Sequence, residues 1–131
     1  MAVSKTTVSF SQPIEQVWHV VTDLKHVDWR SDLAKVVIVD KIHFVEYTKT
    51  GYATYFSITD WKPPYFWAFT MENENMCGIW EGKFSSVDGG TRLTCTETVT
   101  AKRWWMHPFV PRYLKRQQQL YLRDLQRELL K

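Results

Sequence analysis

A single carboxylate stands out through its place in an alternating pattern. From Thr91 to Lys102, Leu93, Cys95, Glu97 and Val99 fall on one face of a strand, and Thr94, Thr96, Thr98 and Thr100 fall on the other. The threonine row is the natural solvent face, so the pattern turns Glu97 inward. Upstream, Cys77 to Val87 forms the other arm of a hairpin closed by Asp88-Gly89-Gly90, where backbone with φ > 0 is needed. A two-residue turn, Asp88-Gly89 or Gly89-Gly90, puts Trp80, Gly82 and Phe84 on the face of Glu97. A three-residue turn would flip that arm, against the apolar character of Trp80 and Phe84. A carboxyl among aromatic rings is desolvated and its pKa rises, which suits a general acid or base, or a donor to a ligand oxygen. The plainer expectation is a carboxylate paired with an Arg or Tyr near the end of the sheet.

Other residues could build a site around Glu97. Trp67, Phe69, Trp80 and Phe84 are inward aromatics able to stack on a flat ring, with Cys95 and Val99 beside them. Tyr113, Gln117 and Tyr121 share one face of a helix, and Gln117 is the amide in that row. Core packing is the competing role for the aromatic members. Arg30, Tyr47 and Tyr55 are further candidates, in segments whose register the pattern leaves open. His19, His26, His43 and His107 lack metal-ligand spacing, and Cys77 faces away from Cys95, so no metal is expected. No nucleophile–base motif and no glycine-rich phosphate loop is present, and no cofactor is expected.

The elements that must position these groups follow one order. Thr6 to Phe10 reads as a strand, and Ser11-Gln12-Pro13 opens a helix with a capping-type Ser and Pro in its first turn. Ile14, Val17, Trp18 and Val21 give that helix an apolar stripe. Asp23 is placed to cap a second short helix carrying Leu24, Val27 and Trp29. Then come strands over Leu33–Val39, His43–Thr48, Tyr52–Thr59 and Tyr65–Met71, with Pro63-Pro64 ending the third, and after them the hairpin. One long helix, Pro111 to about Leu130, is left to cover the sheet, and it is about 30 Å long. If the sheet curves strongly, one helix closes its mouth without filling the space behind, which predicts a cavity.

The chain has 131 residues and is expected to form a single domain over 1–131. Its 7 Trp, 6 Tyr and 7 Phe make it rich in residues that line pockets as well as cores. The net charge of +3 is modest. The basic residues of the last helix are interleaved with Asp124 and Glu128, which reads as a solvated face and not as a nucleic-acid surface. Two cysteines, no apolar leader and no transmembrane run point to a cytoplasmic protein without disulfides or membrane insertion. Trp104-Trp105, in the connection before the last helix, are too close together both to be buried. A lid over the pocket, a contact in a homodimer, or a membrane-touching loop would use them.

The order of elements, with Phe10-Ser11-Gln12-Pro13, Val17-Trp18, Thr22-Asp23, Asp28-Trp29, Ile58-Thr59-Asp60-Trp61-Lys62-Pro63-Pro64 and Gly89-Gly90-Thr91-Arg92-Leu93-Thr94, resembles the helix-grip superfamily. That superfamily (SRPBCC) includes the START lipid-transfer domains, the birch-pollen allergen and bacterial polyketide cyclase/dehydrase-like proteins; the resemblance is greatest to the last group. It implies an α+β helix-grip fold: a curved antiparallel sheet wrapped around a long C-terminal helix, with an apolar pocket between them. Proteins of this kind bind lipids, steroids, quinones or polyketides, and only some are enzymes. The expected function is binding of a small hydrophobic, ring-containing molecule. A cyclase or dehydratase using Glu97 as acid/base, and an assembly module using Trp104 and Trp105, are the alternatives.

Overall fold

The computed structural model describes residues 1–131. β1 (Ala2–Phe10) leads into α1 (Ile14–Thr22); then follow β2 (Leu33–Ile38), β3 (His43–Thr48), β4 (Ala53–Lys62), β5 (Phe66–Glu72), β6 (Met76–Val87) and β7 (Gly90–Ala101). A short 3₁₀ helix, Trp104–Phe109, feeds α2 (Val110–Leu129). All seven strands form one antiparallel sheet in the order β1-β7-β6-β5-β4-β3-β2. After β1 the chain crosses to the far edge of the sheet. It then returns strand by strand until β7 lies beside β1. This is the expected curved sheet with a long C-terminal helix.

The hairpin register is the one its alternation predicts. Val87 pairs with Gly90, so the turn is Asp88-Gly89, and both residues have positive φ, at 52° and 81°. Trp80 faces Glu97, Gly82 faces Cys95 and Phe84 faces Leu93.

Two features of the first connection differ from the sequence reading. Pro13 stands before the first helical residue, not inside the first turn, and no side chain caps α1. The second short helix is absent: residues 23–32 form turns. The Asp23 carboxylate accepts from the Lys25 N–H at 3.0 Å and binds the His26 ring at 2.7 Å, and the Arg30 N–H bonds to the Val27 carbonyl at 3.0 Å. Asp and its local bonds favour a turn as readily as a cap, and this segment must also span the distance from α1 to the far edge strand.

The helix α2 does not lie across the whole sheet. Among the strands, only β1 and β7 run close beneath it. Its buried stripe is Val110, Leu114, Gln118, Leu122, Leu125 and Leu129. The C-terminal half joins the main core with Val17, Trp18, Phe10, Phe84 and Leu93. The N-terminal half packs a smaller core of Val99, Ala101, Val110 and Leu114. Gln118 is the polar member between the two. Its Oε1 accepts from Ser4 Oγ at 2.9 Å and Thr6 Oγ1 at 2.7 Å, and its Nε2 donates to the Ser4 carbonyl at 2.9 Å.

The helix face read as solvated is corrected at one position. Asp124 is 1% exposed, and one of its oxygens accepts from both the backbone N–H and the hydroxyl of Ser31, each at 2.8 Å. It ties the turn before β2 to α2, across 93 residues of sequence. With Gln118 it is one of two polar anchors in an otherwise apolar buried face of α2.

Candidate functional site

Because α2 sits over β1 and β7 while the sheet curves away, a space opens between its middle and strands β3 to β6. The cavity there measures about 230 Å³. Trp67, Phe69, Phe44 and Phe56 form its deep wall, Trp80, Cys95 and Glu97 its β6–β7 wall, and Tyr113, Gln117 and Tyr121 its helical roof. Leu24, Val27, Trp29 and Arg30 close one side. The turns that replace the second helix thus carry the same apolar residues to the cavity.

The aromatic wall is a connected stack. Phe44 lies parallel to Phe56 at 4.7 Å, Phe69 parallel to Trp80 at 5.0 Å, and Trp67 meets Phe69 edge-on at 5.1 Å. Gly82 makes this possible on β6: a Cβ there would come within 2.5 Å of the Trp80 ring. Trp67 is 3% exposed, and its indole N–H has no partner. The Trp29 indole N–H is likewise buried and unpartnered.

Charge is concentrated on one side. The Arg30 guanidinium donates to Glu46 at 2.8 Å and to Asp32 at 3.1 Å, and lies 5.2 Å from the centre of the Tyr121 ring. Burial works against its charge, but Glu46 and Asp32 more than offset this and hold its pKa above the ordinary value. Glu97 has no such partner. Burial, reinforced by the nearby Glu46 and only partly opposed by Arg30, pushes its pKa up to about 7. Burial, with a contribution from Glu97, raises the Cys95 thiol to about 12, so Cys95 is an inert wall. Burial also raises the Tyr121 phenol.

The raised Glu97 pKa has a consequence for stability. The unfolded chain loses this proton near pH 4.3, whereas the folded chain keeps it to about pH 7. The folded state therefore binds the proton more tightly, and stability falls as pH rises across that window and stays low above it. Glu97→Gln is expected to stabilise the ligand-free protein by about 1–3 kcal/mol at pH 8 and to leave it unchanged at pH 4. Urea melts at the two pH values measure the difference.

Of the ten residues singled out in the sequence, Trp67, Phe69, Trp80, Cys95, Glu97, Tyr113, Gln117 and Tyr121 line the cavity, while Phe84 and Val99 do not. Phe84 packs edge-on against Trp18 of α1 at 5.1 Å, and Val99 belongs to the small core under the start of α2. Both share the inner face; their position along the strand takes them past the ends of the cavity. Arg30 reaches the site, but Tyr47 and Tyr55 do not: Tyr55 is exposed, and Tyr47 lies under Lys35. Trp104 and Trp105 are 83% and 55% exposed and are not part of the lining, so neither forms a lid in this structure. Sequence reasoning missed Phe44, Phe56, Glu46 and Trp29. In His43–Thr48 adjacent Phe44 and Val45 put apolar side chains on both faces, and both are buried, so alternation gave no signal for Phe44 and Glu46.

No functionally curated protein matches the chain. Solved structures do. A START superfamily protein from Mycobacterium smegmatis superposes with a TM-score of 0.89 at 11% identity, covering 100% of both chains. Protein MLL2253 from Mesorhizobium loti gives 0.81 at 13% identity, with 97% of this chain and 96% of that one covered. DynU16, from the dynemicin biosynthetic locus, gives 0.81 at 15% identity over 100% of this chain and 48% of its own. At these identities the likeness is one of fold. The sequence itself matches the family described as polyketide cyclase/dehydrase and lipid transport over residues 1–130, and the chain belongs to that family.

Proposed function

We propose that the protein binds a compact, uncharged, ring-containing molecule between the sheet and α2. One observation carries this reading: an aromatic-walled cavity of about 230 Å³ lined by the unpaired carboxyl of Glu97. Aromatic faces exclude water and stack on a flat ring, and the few polar groups set its orientation. The volume lies a little under the usual range of about 300–1,000 Å³ for drug-sized ligands, so the occupant is a fused ring or a short polyketide and not a two-chain lipid. The family's description and the origin of DynU16 in a biosynthetic locus agree with that class.

Native mass spectrometry of freshly purified protein tests the proposal, together with quenching of Trp67 and Trp80 fluorescence by fused-ring aromatics. Saturable one-to-one quenching or a retained small molecule is the expected result. No retained mass and no saturable quenching would sink it. The same spectra test homodimerisation through Trp104 and Trp105, which predicts a dimer lost on Trp104→Ala/Trp105→Ala.

A cyclase- or dehydratase-type activity is the second reading, favoured by the pKa of Glu97 near 7. At that value the carboxyl can give and take a proton at neutral pH, while a Tyr or Trp donor of the lining stabilises a developing enolate oxygen. In this reading Glu97→Gln retains binding of a polyketide-like substrate and loses turnover. Equal turnover by wild type and variant would exclude Glu97 as the acid/base.

A further inference from the structure

We infer that the protein docks reversibly on anionic lipid surfaces through the short 3₁₀ helix Trp104–Phe109 and the outer face of α2. From Thr98 to Arg123 the sequence holds six of the chain's 17 lysines and arginines and none of its 14 acids. The other 11 basic residues do not balance those acids, so the whole positive excess of the chain sits in this stretch. Arg112, Lys115, Arg116 and Arg123 stand at i, i+3, i+4 and i+11, which puts them on one face of α2, and all four are exposed. Asp124 and Glu128, whose interleaving would make this an ordinary solvated face, leave it unbalanced. Asp124 is buried and bound to Ser31, and Glu128 pairs with Lys131 at 3.1 Å, past the end of the stripe. Lys102 is bound to Glu72 at 2.7 Å; the other five cations of the stretch have no acidic partner.

A second observation, independent of charge, indicates what meets this face. The 3₁₀ helix buries none of its residues, and Phe109, 68% exposed, joins Trp104 and Trp105 at the head of the cationic stripe. Trp settles at the headgroup level of a bilayer, and Lys and Arg are drawn to anionic headgroups there. A second copy of the chain is disfavoured, because a two-fold contact sets each cationic face against its mate's. A nucleic-acid strand asks for a groove with aromatic rings spaced between the cations; here the rings stand together at one end of a helix surface. No helix is long and apolar enough to cross a membrane, so the contact is adsorption. Tyr113, one turn after Phe109, is exposed and also lines the cavity, so the cavity borders the docked face.

Co-sedimentation of the protein with lipid vesicles tests the inference, whatever the cavity holds. At 0.1 M salt, vesicles of phosphatidylcholine with 30 mol% phosphatidylglycerol are expected to bind it at least tenfold more tightly than phosphatidylcholine alone, and 0.5 M salt to erase the difference. Arg112→Gln/Lys115→Gln/Arg116→Gln is expected to weaken binding to the anionic vesicles at least tenfold. Trp104→Ala/Trp105→Ala is expected to weaken it severalfold and to remove most of the fluorescence quenching by brominated lipid. All five side chains are exposed, and thermal melts check that each variant folds. No binding to the anionic vesicles, equal binding to both kinds, or undiminished binding by the triple variant would overturn the proposal. So would preference for a 15-nucleotide single strand over the vesicles, or a dimer that needs Trp104 and Trp105 and ignores vesicles. The wild-type comparison of the two vesicles decides the matter even if a variant is poorly folded.

Discussion

Phe44→Ala is expected to lower stability by about 3–5 kcal/mol, the range for deleting a fully buried phenyl ring from a close-packed wall. Phe44 is among the largest fully enclosed side chains. It stacks on Phe56 at 4.7 Å and meets Phe69 edge-on at 5.9 Å. Its loss removes dispersion contacts with both rings and enlarges the existing cavity. The neighbours cannot collapse inward, because no helix presses on them from above. Denaturant unfolding measures the cost. If the wall is a designed surface for a flat ligand, the same variant also binds ring ligands more weakly. A stability loss under 1 kcal/mol would mean that the wall is plastic, against the expectation for a core at native packing density.

Gln118→Ala is expected to cost about 2–4 kcal/mol, since it removes three hydrogen bonds and leaves the hydroxyl and carbonyl of a buried Ser4 without partners. Gln118 lies between the two apolar halves of α2, so its bonds fix the helix in both position and rotation over β1. Hydrogen exchange of β1 amides is the direct readout, and faster exchange there than in β4 or β5 is the expected pattern. Gln118→Met separates the contributions: it retains most of the volume and loses only the polar contacts. If Met and Ala cost the same, the hydrogen bonds carry the effect; if Met is near neutral, packing does.

How much of this was legible in the sequence depended on local rules. The Asp88-Gly89 turn and the threonine row settle the β6–β7 register, because turn chemistry and period-2 alternation act over a few residues. That register placed Trp80, Cys95 and Glu97 correctly. Phe84 and Val99 sit on the correct face yet outside the cavity, since alternation gives the side of a sheet but not the distance along it. Gln117 was singled out and lines the cavity, but Gln118, which lines it too, was missed. Gln118 belongs to the buried stripe and Gln117 stands one residue, about 100° of helix, away, which the spacing of Leu114 and Leu122 around Gln118 could have resolved. Asp124 read as solvated because its partner, Ser31, lies far away in sequence. The turn segment 23–32 was misread as helical because Asp serves equally as a cap and as a turn former. Arg30 and Glu46 meet only through tertiary structure, and their pairing is what leaves Glu97 alone.

The sheet order has a consequence for how the chain reaches this state. β1 is made first, yet its only strand partner is β7: Thr7 and Thr94 touch across 87 residues. Its helical partner is later still, with Ser4 and Gln118 separated by 114. Contacts of such separation close large loops and slow folding. During synthesis β2 to β6 can zip together as neighbouring hairpins while β1 waits, unpaired and with its inner residues bare. Within this fold the later elements, β7 with α2, therefore capture the first, and the cavity comes into being only at that step.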